Sequence, residues 1–292
     1  MPNMNIPVGV SDFEQIRRNE YYYVDKSGML AEILSAESTA VTLITRPRRF
    51  GKTLGMSMMA SFFDIRRDSK QLFEGLEISN DHALCERWMN QYPTIFLSFK
   101  DVDGLTFESA YDMLASTITD LYKQHLYLLS SDKINEYDKH TIRQLIEGTA
   151  SVLFLTVSSV METISCAARF LIFSSTERNS CTSFFNSEFT ENPLISALRL
   201  HYGKSVILLL DEYDVPVAKA SSHGYYAPML EVIKALMSTT LKDNTALQFA
   251  VLTGCLKIAK ESIFTGTNNF VSDTIASSRL NEYFGFTQKD VD

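Results

Sequence analysis

The stretch Val41–Met58, VTLITRPRRFGKTLGMSM, constrains this chain more than any other. An apolar β-rich run leads through a short basic loop into Gly51-Lys52-Thr53, which opens a segment with Leu54, Met58 and Phe62 at helical spacing. A strand that delivers a loop to a helix start aims the first backbone N–H groups of that helix at one point, where an anion is stabilised. The expected ligand is phosphate, cradled along Arg46, Pro47, Arg48, Arg49, Phe50, Gly51, Lys52, Thr53 and Leu54. Lys52 is expected to reach the β- and γ-phosphates and the Thr53 hydroxyl to sit on Mg2+. Only the second half of the pattern G-x-x-x-x-G-K-[ST] is met, because Arg46 stands where its first glycine belongs. The alternative is a strand-turn-helix with a basic turn, in which Arg46, Arg48, Arg49 and Lys52 repel one another without an anion to offset them.

A second signal lies far downstream. Lys204–Asp214 reads KSVILLLDEYD, and its continuous apolar run Val206–Leu210 is typical of a strand buried on both faces of a parallel sheet. Asp211 and Glu212 end that strand. Burial and mutual repulsion oppose the ionisation of two adjacent carboxylates unless a cation is near. A metal ion with phosphates meets that need, with Asp211 in the metal shell and Glu212 polarising the attacking water. Leu247–Thr253, LQFAVLT, is a further buried-strand candidate. Thr253 at its end suits a γ-phosphate sensor or a water-orienting group, or else a strand-end hydroxyl that satisfies a turn. Lys257, about one helical turn beyond, could act electrostatically.

With 292 residues, 45% of them hydrophobic, the chain can bury a large core. A net charge of −8 and a pI near 5.2 do not indicate a nucleic-acid binder. Cys85, Cys166, Cys181 and Cys255 form no C-x-x-C pair, which suits reduced thiols in a cytoplasmic protein. The first residues, MPNMNIPVGV, do not read as a signal peptide. Val152–Phe173 is long enough to span a bilayer, but Glu162 and Arg169 within it argue against membrane insertion.

In chain order, residues 1–40 form an N-terminal arm with a strand candidate at Tyr21–Val24 and a helix that Ser27 could cap. The arm either lies across a nucleotide base or docks on the first sheet strand; equally, it simply completes the core. Trp88 reads as core. Pro93–Lys100 reads as a strand followed by Asp101 and Asp103, and Phe107–Leu129 and Asp132–Gly148 as paired helices with His125 and His140 on their surfaces. Residues 151–190 show no sustained period. Pro193 suits the first turn of a helix through His201, Val215–Tyr226 reads as a loop, and a further helix carries Met229, Ile233, Leu236 and Met237.

Together, Val8–Ser27, Leu43–Leu54, Val206–Val217, Leu252–Phe270 and Glu282–Val291 resemble the bacterial AAA-ATPase-like proteins of the P-loop superfamily, whose loop looks like RPRRFGKT. The resemblance covers nearly the whole chain apart from 151–190. It implies an α/β fold of RecA-like type, a mostly parallel sheet flanked by helices, with ATP and Mg2+ as ligands. Carried onto this sequence, Lys52 and Thr53 contact phosphate and metal, Asp211 and Glu212 are the acidic pair, and Lys52, Glu212 and Thr253 are the catalytic set. Longer members carry a C-terminal PD-(D/E)XK nuclease-like domain, and none is expected within the sequence up to Asp292. The expected activity is slow Mg-dependent ATP hydrolysis coupled to a conformational switch. The rival is a nucleotide-dependent interaction switch without significant hydrolysis, serving an effector or partner. Nucleotide is the expected partner, with a homo-oligomer or a protein as further candidates.

Overall fold

A computed structural model describes residues 5–35, 40–147, 192–255 and 270–291. The strands are β1 (Val41–Thr45), β2 (Thr94–Ser98), β3 (Val206–Asp211), β4 (Leu247–Gly254) and β5 (Phe270–Asp273). They form one sheet in the order β2-β3-β4-β1-β5, and every pairing is parallel. The longer helices are α1 (Phe13–Arg18), α2 (Gly28–Ser35), α3 (Lys52–Phe63), α4 (His82–Trp88), α5 (Phe107–Lys123), α6 (Glu136–Ile146), α7 (Pro193–Tyr202), α8 (Val215–His223) and α9 (Tyr226–Leu241).

The apolar strands feed two cores because successive side chains leave the sheet on opposite faces. Val41, Leu43, Leu208, Leu210 and Leu252 pack with α5 to α9, while Ile44, Ile207, Leu209 and Val251 pack with α1 to α4. Chain direction across the sheet reverses at β1. The chain leaves β1 through α3 and reaches β2 at the far edge, then returns through β3 and β4 to the other side of β1. Loops at the carboxyl ends of strands beside such a reversal form the crevice in which α/β sheets place ligands. The α/β class with a parallel sheet between helices, expected from the sequence, is the fold that forms.

Several local expectations are corrected. Tyr21–Val24 is extended but joins no sheet ladder; Tyr22 N–H donates instead to the Asn5 carbonyl at 2.9 Å. The arm docks on α3, where the Phe13 amide reaches Ser57 Oγ at 3.0 Å, because β4 and β5 already occupy both sides of β1. The Ser27 hydroxyl does not cap α2; it accepts the Ile78 amide at 3.1 Å. Val215–Tyr226 is not a loop but contains α8, with Pro216 in its first turn and Gly224 closing it at φ 84°. The helix expected over Phe107–Leu129 stops at Lys123, followed by a 3-10 turn.

His125, just past the end of α5, is buried rather than on the surface, and its Nδ1 pairs with the Tyr127 hydroxyl at 3.1 Å. Burial, reinforced by the Arg66 guanidinium, pushes its pKa down to about 4. His140 is exposed and Trp88 is in the core, as expected. Residues 151–190, the span Val152–Phe173 and Lys257 lie outside the described residues. Among the described residues, no helix is long and apolar enough to cross a membrane.

Candidate functional site

The loop after β1 turns through Arg49 and Gly51, both left-handed, at φ 69° and 80°. Only glycine adopts that conformation without steric cost, which explains Gly51; nothing lies within 4 Å of where a Cβ would stand. Gly51 also has no side chain to cap α3, and the first helical bond runs from the Gly55 N–H to the Gly51 carbonyl at 2.9 Å. The amides of Lys52, Thr53 and Leu54 therefore precede the helical ladder and face the mouth of the loop.

Lys52 is buried, and its ammonium folds back on the loop, donating to the Arg46 and Pro47 carbonyls at 2.9 and 3.0 Å and to Cys255 Sγ at 3.3 Å. Thr53 lies beside the end of β3. Its hydroxyl donates to Asp211 Oδ2 at 2.8 Å, although the two residues are 158 positions apart. Asp211 is fully buried. The Thr253 hydroxyl donates to its Oδ1 in a short contact, and Ser98 Oγ donates to Oδ2 at 3.3 Å. Among the described residues, hydroxyls alone meet this carboxylate.

Glu212 is half-buried and left-handed at φ 53°, an uncommon and strained state for a residue with a side chain. Its amide reaches the Thr253 hydroxyl at 3.4 Å. Its carboxyl pKa is raised, first by burial and then by Asp211, while Lys52 works in the opposite direction. The parallel register that sets β3 and β4 side by side and β1 beside β4 thus brings Lys52, Thr53, Asp211, Glu212 and Thr253 together.

Not every expected residue joins them. Arg48 and Arg49 are exposed, and Leu54 is half-buried beside the loop. The Arg46 side chain points away from the loop mouth and is buried. Its guanidinium donates to the Asp273 carbonyl at 3.1 Å, to Asp273 Oδ1 at 2.5 Å and to Asn281 Oδ1 at 3.2 Å, and it stacks 5.2 Å from the Phe284 ring. The expectation that all four loop cations need an external anion is corrected for Arg46, which finds its counter-charge inside the protein. Asp101 is exposed and Asp103 pairs with Lys219 at 2.6 Å, so neither reaches the site.

Sequence reasoning missed β5, Asp273 and the reason for a glycine at position 254. A Cβ at Gly254 would come within 2.7 Å of the Tyr213 ring and 2.8 Å of Asp214 Oδ1, so the glycine admits a close approach of chains. The following amide, of Cys255, donates to Asp214 Oδ2 at 3.0 Å.

A family model described as Predicted AAA-ATPase matches residues 7–264. The chain belongs to that family. An Azotobacter chroococcum mcd 1 protein, described as an uncharacterized protein in the vnfD 5′ region, is 26% identical over 294 residues, covering 100% of this chain and 45% of its own length. The chain thus spans less than half of that curated relative. No solved structure matches it. Membership of the predicted AAA-ATPase family supports an ATPase-like domain that binds nucleotide, and it fits a loop whose helix start opens toward a buried carboxylate.

Proposed function

We propose that this chain binds ATP with Mg2+ and hydrolyses it slowly, with turnover coupled to a conformational switch. The observation that carries the reading is the contact between Thr53 and the buried Asp211, a hydroxyl and a carboxylate from distant segments meeting at the mouth of the loop. The donor set fits a hard cation, since both groups offer oxygen and Asp211 has no cation as partner among the described residues. Thr53 and Asp211 would hold Mg2+, which neutralises charge on phosphate oxygens.

The remaining work falls to the chain itself. The loop from Arg46 to Leu54 presents backbone N–H groups to the phosphates. The Lys52 ammonium exchanges the Arg46 and Pro47 carbonyls for β- and γ-phosphate oxygens, so ligand binding releases the loop from its own lysine. Glu212 orients water and accepts its proton, and its raised pKa makes it a stronger base than an ordinary glutamate. Thr253 ties Asp211 to the Glu212 amide and so holds the two acids in register.

Calorimetric titration with MgATP, with phosphate release followed in the same samples, tests the reading. Lys52→Ala should abolish binding, whereas Glu212→Gln should bind and not turn over. Normal turnover in Glu212→Gln would remove the water-orienting role. Tight binding with negligible release in the unaltered chain would favour a nucleotide-dependent interaction switch that acts through a partner.

A further inference from the structure

Residues 281–290 are fastened to both ends of the loop after β1. At the start of the loop, the Arg46 guanidinium donates to Asn281 Oδ1 at 3.2 Å and stacks 5.2 Å from the Phe284 ring. Near its end, the Gly285 amide donates to the Phe50 carbonyl at 3.1 Å. Gly285 is left-handed at φ 78°, and a Cβ there would come within 3.2 Å of the Phe50 ring, so a glycine lets the segment lie this close. Two further points of the segment are tied to the N-terminal arm. Lys26 Nζ donates to the Glu282 carbonyl at 2.8 Å and to Asp290 Oδ2 at 2.6 Å, and Asp290 Oδ2 also accepts the Thr287 amide at 2.7 Å.

The bond to Phe50 has a directional consequence. A trans peptide is planar, with its C=O and the following N–H on opposite sides. Holding the Phe50 carbonyl toward Gly285 therefore turns the Gly51 N–H away from the segment. This arrangement needs support, because Arg49 beside it is left-handed at φ 69°, a state that a residue with a side chain adopts only under constraint. Lys52 supplies part of that constraint while it bonds the Arg46 and Pro47 carbonyls. A phosphate that takes over the Lys52 ammonium removes both bonds. The hold that Gly285 keeps on Phe50 then counts for more.

We propose that residues 281–290 act as a strap that holds the Gly51 amide in its anion-binding orientation, and that phosphate at the loop in turn fastens the strap. This rests on the nucleotide reading above and names the element that responds when the loop fills. The coupling is reciprocal, because a segment that raises the affinity for a ligand is stabilised by that ligand to the same extent. Lys26 is a positioning residue, acting on the loop through the strap that it ties to the arm.

Hydrogen exchange of the full chain, read by mass spectrometry with and without magnesium tripolyphosphate or MgATP, tests the strap. Tripolyphosphate has neither base nor sugar, so its effect on 281–290 passes through the loop. Saturating tripolyphosphate should slow exchange across 281–290 by about fivefold or more, together with the loop at 46–54. Lys26→Met should speed exchange across 281–290 in the free chain and weaken tripolyphosphate binding by about fivefold in calorimetry, and Lys26→Arg should restore both. Protection of 46–54 with unchanged exchange at 281–290 would overturn the strap. So would protection of 281–290 by MgATP alone, or unchanged tripolyphosphate affinity in Lys26→Met. If neither probe binds the unaltered chain, the nucleotide reading falls and the strap falls with it. The exchange measurement on the unaltered chain needs no variant, so a Lys26→Met chain that fails to fold leaves the strap open to refutation.

Discussion

Asp211 and Asp273 are buried carboxylates that end two strands of one parallel sheet, and the protein treats them in opposite ways. Asp273 is met by a guanidinium at 2.5 Å, so its charge is balanced within the fold. Asp211, equally buried, is met by the hydroxyls of Thr53, Thr253 and Ser98. Hydroxyls stabilise a carboxylate by hydrogen bonding but leave its charge in place. The first strand end is therefore a closed structural joint between the loop after β1 and β5. At the second, hydroxyls and no cation meet the carboxylate among the described residues.

The largest effect should come from breaking the closed joint. Arg46→Ala leaves Asp273 buried and unpaired, and denaturant unfolding should show a loss of about 3–5 kcal/mol. Replacing the pair together, Arg46→Met with Asp273→Leu, should recover most of that loss, since no charge is then left without a partner.

His125 sharpens the comparison with a third solution, burial in the neutral state. Its folded pKa of about 4 lies below the 6.5 of a free histidine, so the unfolded chain takes up the proton first. Its contribution is complete above pH 6.5 and is lost as pH falls toward 4, by up to about 3 kcal/mol. His125→Gln should flatten that part of the stability profile.

At Asp211 the expected change in stability is smaller. Asp211→Asn should stay within about 1 kcal/mol of the unaltered chain, because it removes a buried charge along with some hydrogen-bond strength. It should nevertheless abolish the Mg2+ dependence of ATP binding in calorimetry. A loss as large as that of Arg46→Ala would erase the distinction between the two strand ends. An effect of similar size belongs to Glu212→Gly, which relieves the left-handed strain and should raise the midpoint of thermal unfolding by the equivalent of about 1 kcal/mol, with turnover lost.

Much of the site is legible in the sequence because its parts are local patterns. Strand, loop and helix are continuous over Val41–Phe63, and the apolar run of β3 ends on its acids without a gap. Periodicity and turn chemistry suffice for such units. They fail at Val215–Tyr226, where Ser, Gly and His suggest a loop while Pro216 and buried Val215, Val217 and Ala220 sustain a helix. They fail again at His125, whose burial comes from what packs over the end of α5.

The sequence by itself determined the loop that joins β1 to α3, the acidic strand and the α/β class, since each is written in neighbouring residues whose spacing sets their direction. Tertiary structure alone decided what Arg46 is for. Its partner Asp273 lies 227 residues away on a short edge strand, and no local signal links the two. The same holds for the cavity of about 240 Å3 beside Gly51, whose walls come from the N-terminal arm, from α3 and from the C-terminal segment. Which charges are balanced inside the fold depends on which strands become neighbours, and that follows from the packing of the whole sheet.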